Sequence, residues 1–223
     1  MASLSVGRAI SVRTGERLLA SVADHGSGAH PYIASDSLLR GPDASRNLSD
    51  AVHFLCTLHG RYPGVVDHAA NRCTEAGVRS WFALALEGFT SERAFLTRLA
   101  VAAGPLPSTP GAGDSEAAVT GQRHAMEMLA QSERNGCALG AAIALVLDWS
   151  AVRTVLKVAA SRFGIEPPPF AFTDMAGIRA VAEDAAAEPP FERALLFGAE
   201  QVLIQHFGLW DLLEARQLAR AAC

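Results

Sequence analysis

Five ionisable side chains interrupt what are otherwise apolar helix stripes in this chain: His59, Glu92, His124, Asp148 and His206. At 3.6 residues per turn, His59 falls between Leu55 and Tyr62, Glu92 lies one turn from Phe89 and Leu96, and His124 lies beside Gly121 and Met128. Asp148 shares a face with Ala141, Ala144 and Val155, and His206 lies between Val202 and Leu209. A carboxylate buried without a partner is costly enough that it pairs or takes up a proton. One such residue on each of five helices therefore suggests that they meet inside the fold. Three imidazoles and two carboxylates are the donor set of a non-haem iron, manganese or zinc centre. The same groups serve equally as an acid–base pocket, with Glu92 or Asp148 paired to an imidazole. The structural alternative is that each is satisfied separately. A lone His on an apolar face is most often a core residue, and Asp148 has Arg93 and Arg153 as candidate partners, or a neighbouring helix to cap.

The elements that would position these residues are helices. From Asn47 onward the apolar period is helical, and helices are expected over about 48–62, 64–74, 76–102, 114–134, 137–162, 174–187 and 190–221. Pro63-Gly64, the Pro- and Gly-rich run 104–111, Asn135-Gly136, and Gly164 followed by Pro167-Pro168-Pro169 punctuate them. The run from Cys137 to Leu147 is apolar on nearly every side, too short to cross a bilayer, and ends at Asp148. It reads as the central helix, and Gly140, Ala141, Ala144 and Ala151 would let neighbours approach it closely. Residues 1–45 are broken by Gly26, Gly28, Pro31, Gly41 and Pro42 and read as an irregular surface segment with short helical pieces, of which only 15–23 is weakly helical. No alternating strand pattern is found. The fold expected is all-α, a single bundle of six to eight helices over 46–223 around the central apolar helix.

At 223 residues the chain can bury a sizeable core without disulfides or metals, and with half of its residues apolar it is not a disordered chain. A net charge of −4 gives no pull toward nucleic acid or anionic lipid. Of the 19 basic residues only Lys157 is Lys, a bias that, with the abundant Ala, reads as GC-rich bacterial coding. The widely spaced Cys56, Cys73, Cys137 and Cys223 form no zinc or redox motif and suit a reduced cytosol, and the N-terminus has no secretory h-region. The location expected is cytoplasmic. Phosphate-binding loops, the dinucleotide fingerprint, the nucleophile elbow and the H-E-x-x-H zinc motif are all missing from the sequence. Trp81, Trp149 and Trp210 read as core residues, His53 and His68 as solvated, and His25 and His30 carry no argument.

The runs HGRYPGVVDHAA (59–70), PLPSTPG (105–111), 122–149 and FGAEQVLIQHFGLWDLLEAR (197–216) resemble uncharacterised Ala-rich helical proteins of alphaproteobacteria. That resemblance implies no activity. In helix count and small-residue central helix, the chain is similar to the haem-oxygenase/TenA-like bundles, a likeness of fold alone.

The sequence thus names no reaction. The reading it supports is a small-molecule-binding helical bundle with a buried His/carboxylate pocket, a candidate non-haem transition-metal-dependent oxidase or oxygenase with His59, Glu92, His124, Asp148 and His206 as ligands or acid–base groups. The alternative is a non-catalytic interaction or regulatory bundle. The partners expected are a small-molecule ligand and a second copy in a homodimer, with no nucleic acid and no membrane.

Overall fold

A helix that is apolar all round must be surrounded by others, and in the computed structural model the helix containing Cys137–Leu147 is. The structure describes residues 3–73, 76–172, 175–185 and 188–222, and among these every regular element is helical. The order is α1 (Ser3–His25), two 3₁₀ turns (Ser27–Ala29 and Pro31–Ala34), α2 (Asp36–Leu39), α3 (Ala44–His59), α4 (Val65–Arg72) and α5 (Ala76–Ala103). There follow α6 (Ala112–Ala130), α7 (Cys137–Phe163), α8 (Met175–Ala185) and α9 (Pro189–Ala221). The fold is all-α. Seven of these helices are those expected from periodicity; Thr173 and Asp174, expected to cap α8, lie outside the described residues.

Helix α7 touches α1, α3, α4, α5, α6, α8 and α9, and its longest packing is against α9. It is long and apolar enough to cross a membrane, yet 83% of its most apolar window is buried inside the fold, so it is the centre of the core. Two glycines set the α7–α9 approach. A Cβ added at Gly140 would sit 1.8 Å from the Leu195 carbonyl oxygen, and one at Gly198 would sit 2.0 Å from that of Cys137. The two backbones touch where side chains would otherwise hold helices 8–10 Å apart.

Three expectations are corrected. Residues 3–45 are not an irregular surface segment: α1 packs on α8 and α9, and Leu18, Tyr32, Ile33 and Leu38 are core residues. Gly26, Gly28 and Pro31 mark the two 3₁₀ turns, the first of which lies on α7, and Gly41 and Pro42 separate α2 from α3. Helix α6 shows a different face from the one expected (Ala117, Gly121, His124, Ala125, Met128). It buries Ser115, Val119, Met126 and Ala130, and leaves Met128 62% exposed. Its Ala and Gly content leaves too little hydropathy contrast to fix the face from sequence alone. Tyr62, placed on the α3 stripe, lies beyond the end of that helix and is exposed.

Replacing Gly140 by Ala is expected to destabilise the fold by about 1–3 kcal/mol through overpacking. Gly121→Ala, whose Cβ meets nothing within 4 Å, is expected to stabilise it by roughly 0.5–1 kcal/mol. Urea unfolding of the two variants checks both signs; similar effects at both sites would show that the α7–α9 approach is not limiting.

Candidate functional site

Asp148 projects from the middle of α7 and is 1% exposed, so only donors from other elements can satisfy it. It has three. The backbone N–H of Ser27 donates to Oδ1 at 2.7 Å, the Ser27 hydroxyl donates to Oδ2 at 2.5 Å, and His206 Nδ1 lies 2.6 Å from Oδ2. Ser27 arrives there because α1 ends at His25 and the first 3₁₀ turn runs directly over α7. The approach requires glycine before it: a Cβ at Gly26 would sit 2.4 Å from Asp148 Oδ1.

His206, from α9, thus gives its Nδ1–H to Asp148 and turns Nε2 toward Nε2 of His59, 2.9 Å away at the end of α3. The two rings are almost perpendicular, at 85°. Between two facing imidazole nitrogens only one hydrogen fits, so one Nε2 donates and the other accepts. Burial, with the His206 charge beside it, holds the His59 imidazole well below the usual histidine range. His59 is therefore neutral at neutral pH. In the state where His206 is neutral, with its hydrogen on Nδ1 toward Asp148, it accepts at Nε2, and the His59 hydrogen sits on its own Nε2. That tautomer leaves Nδ1 of His59 as a bare acceptor with no hydrogen-bond partner among the described residues.

His59 forms part of the wall of a cavity of about 30 Å³, room for one or two waters or the head of a larger molecule. The apolar part of the wall is Val66, Phe89 and Leu145, and the polar part is His59, Arg61, Arg93, Arg123 and Glu127. Arg93 is already engaged, with Nη1 2.8 Å from Asp67 Oδ2 and Nη2 3.3 Å from Oδ1. Asp67 in turn accepts from the Gly64 N–H at 2.7 Å and so caps α4. Arg123 is less satisfied. Its Nε is buried without a hydrogen bond among the described residues, and the Glu127 carboxylate stands 3.4 Å away.

A second buried node adjoins the first. Glu92 on α5 accepts from the Trp149 indole N–H at 3.0 Å and from Nη1 of Arg153, whose Nη2 donates to the Pro168 carbonyl at 2.5 Å. The Trp149 ring meets His59 edge-on, with centroids 5.1 Å apart. Trp149 is thus the link between the two nodes.

Of the five residues nominated by the sequence, His59, Asp148 and His206 meet in one continuous chain. Glu92 is buried next to them, but it pairs with Arg153 and not with an imidazole. His124 does not join: its side chain is 72% exposed and lies 3.9 Å from Glu127 on the surface of α6. The residues do not fit a metal centre. Among the described residues no group of three or more His, Cys, Asp or Glu side chains is placed to hold a metal ion. The oxygens of Asp148 already accept from Ser27 and His206, and those of Glu92 from Trp149 and Arg153. Sequence reasoning missed Ser27 and Arg123. Ser27 sits in a stretch without periodicity, and Arg123 is hidden by the misread face of α6.

A protein-family model, the Family of unknown function (DUF6975), matches residues 22–221. The chain belongs to this family. Ser27, His59, Asp148 and His206 all fall inside the span matched to DUF6975. No curated protein and no solved structure matches the chain.

The lowered His59 titration carries a stability consequence. The unfolded chain protonates His59 near its ordinary value while the native site resists, so the unfolded state binds more protons and stability falls as pH drops below about 6.5. The slope from this one group is at most about 1.4 kcal/mol per pH unit. Unfolding free energies measured against pH for the natural chain and His59→Gln should differ by this slope; parallel profiles would show that His59 is charged in the native fold.

Proposed function

We propose that this protein binds a small molecule at the cavity beside His59 and moves a proton to or from it. The observation that carries the reading is the unbroken buried chain Asp148–His206–His59, which begins at a carboxylate in the core and ends at a bare nitrogen on the cavity. In the base direction, Nδ1 of His59 takes a proton from the bound molecule. Its Nε2 proton passes to Nε2 of His206 over the 2.9 Å contact. His59 ends neutral, now protonated on Nδ1, and His206 becomes the imidazolium, held against the Asp148 carboxylate. The reverse sequence delivers a proton. The positive charge therefore rests on His206, where it is paired, and not on His59, where burial disfavours it. Ser27 fixes Asp148, and Asp148 fixes the His206 tautomer.

The experiment is histidine ring ¹⁵N NMR against pH. His59 and His206 are expected to titrate as one coupled pair. In Asp148→Asn the pair should take up its added proton only at lower pH than in the natural chain, because the opposite charge is gone. Two independent titrations in the natural chain, or no change in the variant, would rule out the relay.

A second reading, a non-catalytic homodimeric interaction module, is favoured by one observation. Met128 and Phe197 border a common shallow depression between α6 and α9, and Ile204 is exposed two turns further along α9. Light scattering should report a dimer that Phe197→Asp dissociates; a monomer at all concentrations ends this reading.

A further inference from the structure

We propose that the group the cavity recognises is a carboxylate, carried by a small organic acid and held by Arg123; this rests on reading the cavity beside His59 as the ligand site. Two residues that line that cavity each carry a polar atom without a hydrogen bond among the described residues. One is the buried Arg123 Nε, a donor with no hydrogen bond among the described residues, and the other is the bare Nδ1 of His59, an acceptor. A buried guanidinium donor left empty is costly, and a planar two-oxygen acceptor matches its fork.

The charges around the cavity agree. Arg61, Arg93 and Arg123 border it, with Glu127 facing Arg123 and Asp67 occupying Arg93. With Asp67 against Arg93 and Glu127 against Arg123, the surplus positive charge is that of the exposed Arg61, and Arg123 adds an open N–H donor in place of surplus charge. A cationic ligand would meet three guanidiniums. A phosphate dianion would need a second free cation, and the Arg93 fork is already spent on Asp67. The interior walls of Val66, Phe89 and Leu145 suit a short carbon skeleton, and the cavity volume of about 30 Å³ limits it to a small one.

The assignment also orients the ligand. An ionised carboxylate offers only acceptors, and so does Nδ1 of His59, so the two do not face each other directly. The carboxylate lies toward Arg123, and the neighbouring part of the acid, the part that carries a transferable hydrogen, lies toward His59. His59 is faced on its other side by His206, with Asp148 behind it, and by the uncharged edge of Trp149. A glycolate-like acid, whose hydroxyl donates to Nδ1, satisfies both empty atoms at once.

The test is a titration at neutral pH with four probes: acetate, glycolate, acetamide and inorganic phosphate. It is followed by the His59 ring ¹⁵N shifts and by Trp149 fluorescence. Acetate should saturate, glycolate should bind more tightly than acetate, and acetamide, its neutral analogue, should bind about ten-fold or more weakly. Arg123→Gln should weaken acetate by about ten-fold or more and have no effect on acetamide. Arg123→Lys, which keeps the charge but loses the fork, should fall between. Arg162→Gln, remote from the cavity, should leave every probe unaffected and serves as the control for net charge. The carboxylate assignment is overturned if acetate does not saturate, if acetamide or phosphate binds as tightly, or if Arg123→Gln binds acetate as the natural chain does. If acetate fails while His59 and His206 still titrate as a coupled pair, only this inference falls. If the pair titrates independently, the proton-transfer reading falls whatever acetate does.

Discussion

A carboxylate in the middle of a helix that is apolar on every side can be satisfied only from outside that helix. Asp148 therefore imposes conditions on two other parts of the chain. It draws the backbone of residues 26–27 down onto α7, which Gly26 permits, and it selects which nitrogen of His206 carries hydrogen. Once His206 is set, the His59 tautomer follows, and with it the chemical character of the cavity wall. The functional surface is thus decided by a buried group that never reaches it. Uncompensated, a buried charge of this kind costs far more than a hydrogen bond returns; three donors make it tolerable.

The same rule is applied at three other places in the core. Glu92 on α5 is held by Arg153 of α7, Asp67 on α4 by Arg93 of α5, and Asp50 on α3 by Arg216 and Arg220 of α9. Several of these contacts use both arms of the guanidinium, as where Arg216 Nε and Nη2 lie 3.2 and 3.0 Å from the two Asp50 oxygens. Lysine has no such fork. Such pairs add little net stability compared with apolar residues of the same volume, but losing one partner is expensive, so they fix which helix faces which. In a core dominated by Ala, Leu and Val, where many packings have similar energy, four polar nodes tie α3, α4, α5, α7 and α9 to one mutual arrangement.

The sequence made the architecture legible from α3 onward because the signals were strong there. The Pro and Gly punctuation fell where helices end, and the uniformly apolar start of α7 had no place except the centre. His59, Asp148 and His206 were legible as a set because each is a polar residue on a clearly apolar face. The same logic failed for His124, since α6 is so rich in Ala and Gly that its inner face cannot be told from its outer one. It failed for Glu92 in partner only: a buried carboxylate was correctly expected, but whether it meets an imidazole or Arg153 depends on helix rotation that hydropathy does not encode. The N-terminal segment was the least legible. His30, which carried no argument, is 3% exposed, accepts from the Tyr32 N–H and lies 3.0 Å from Asp211. Ser27 had no periodic context at all, because its role comes from a turn and not from a helix face.

The polar chain through the core also has a bearing on the order in which this protein forms. Its contacts join Ser27 to Asp148 across 121 positions, His59 to His206 across 147, and Asp148 to His206 across 58. Closing loops of that length is entropically opposed until the helices have already docked. Without α9, Asp148 keeps its donors from Ser27 but loses His206, and nothing then joins it to His59. The buried chain of contacts is therefore complete only when α9 is seated against α3 and α7.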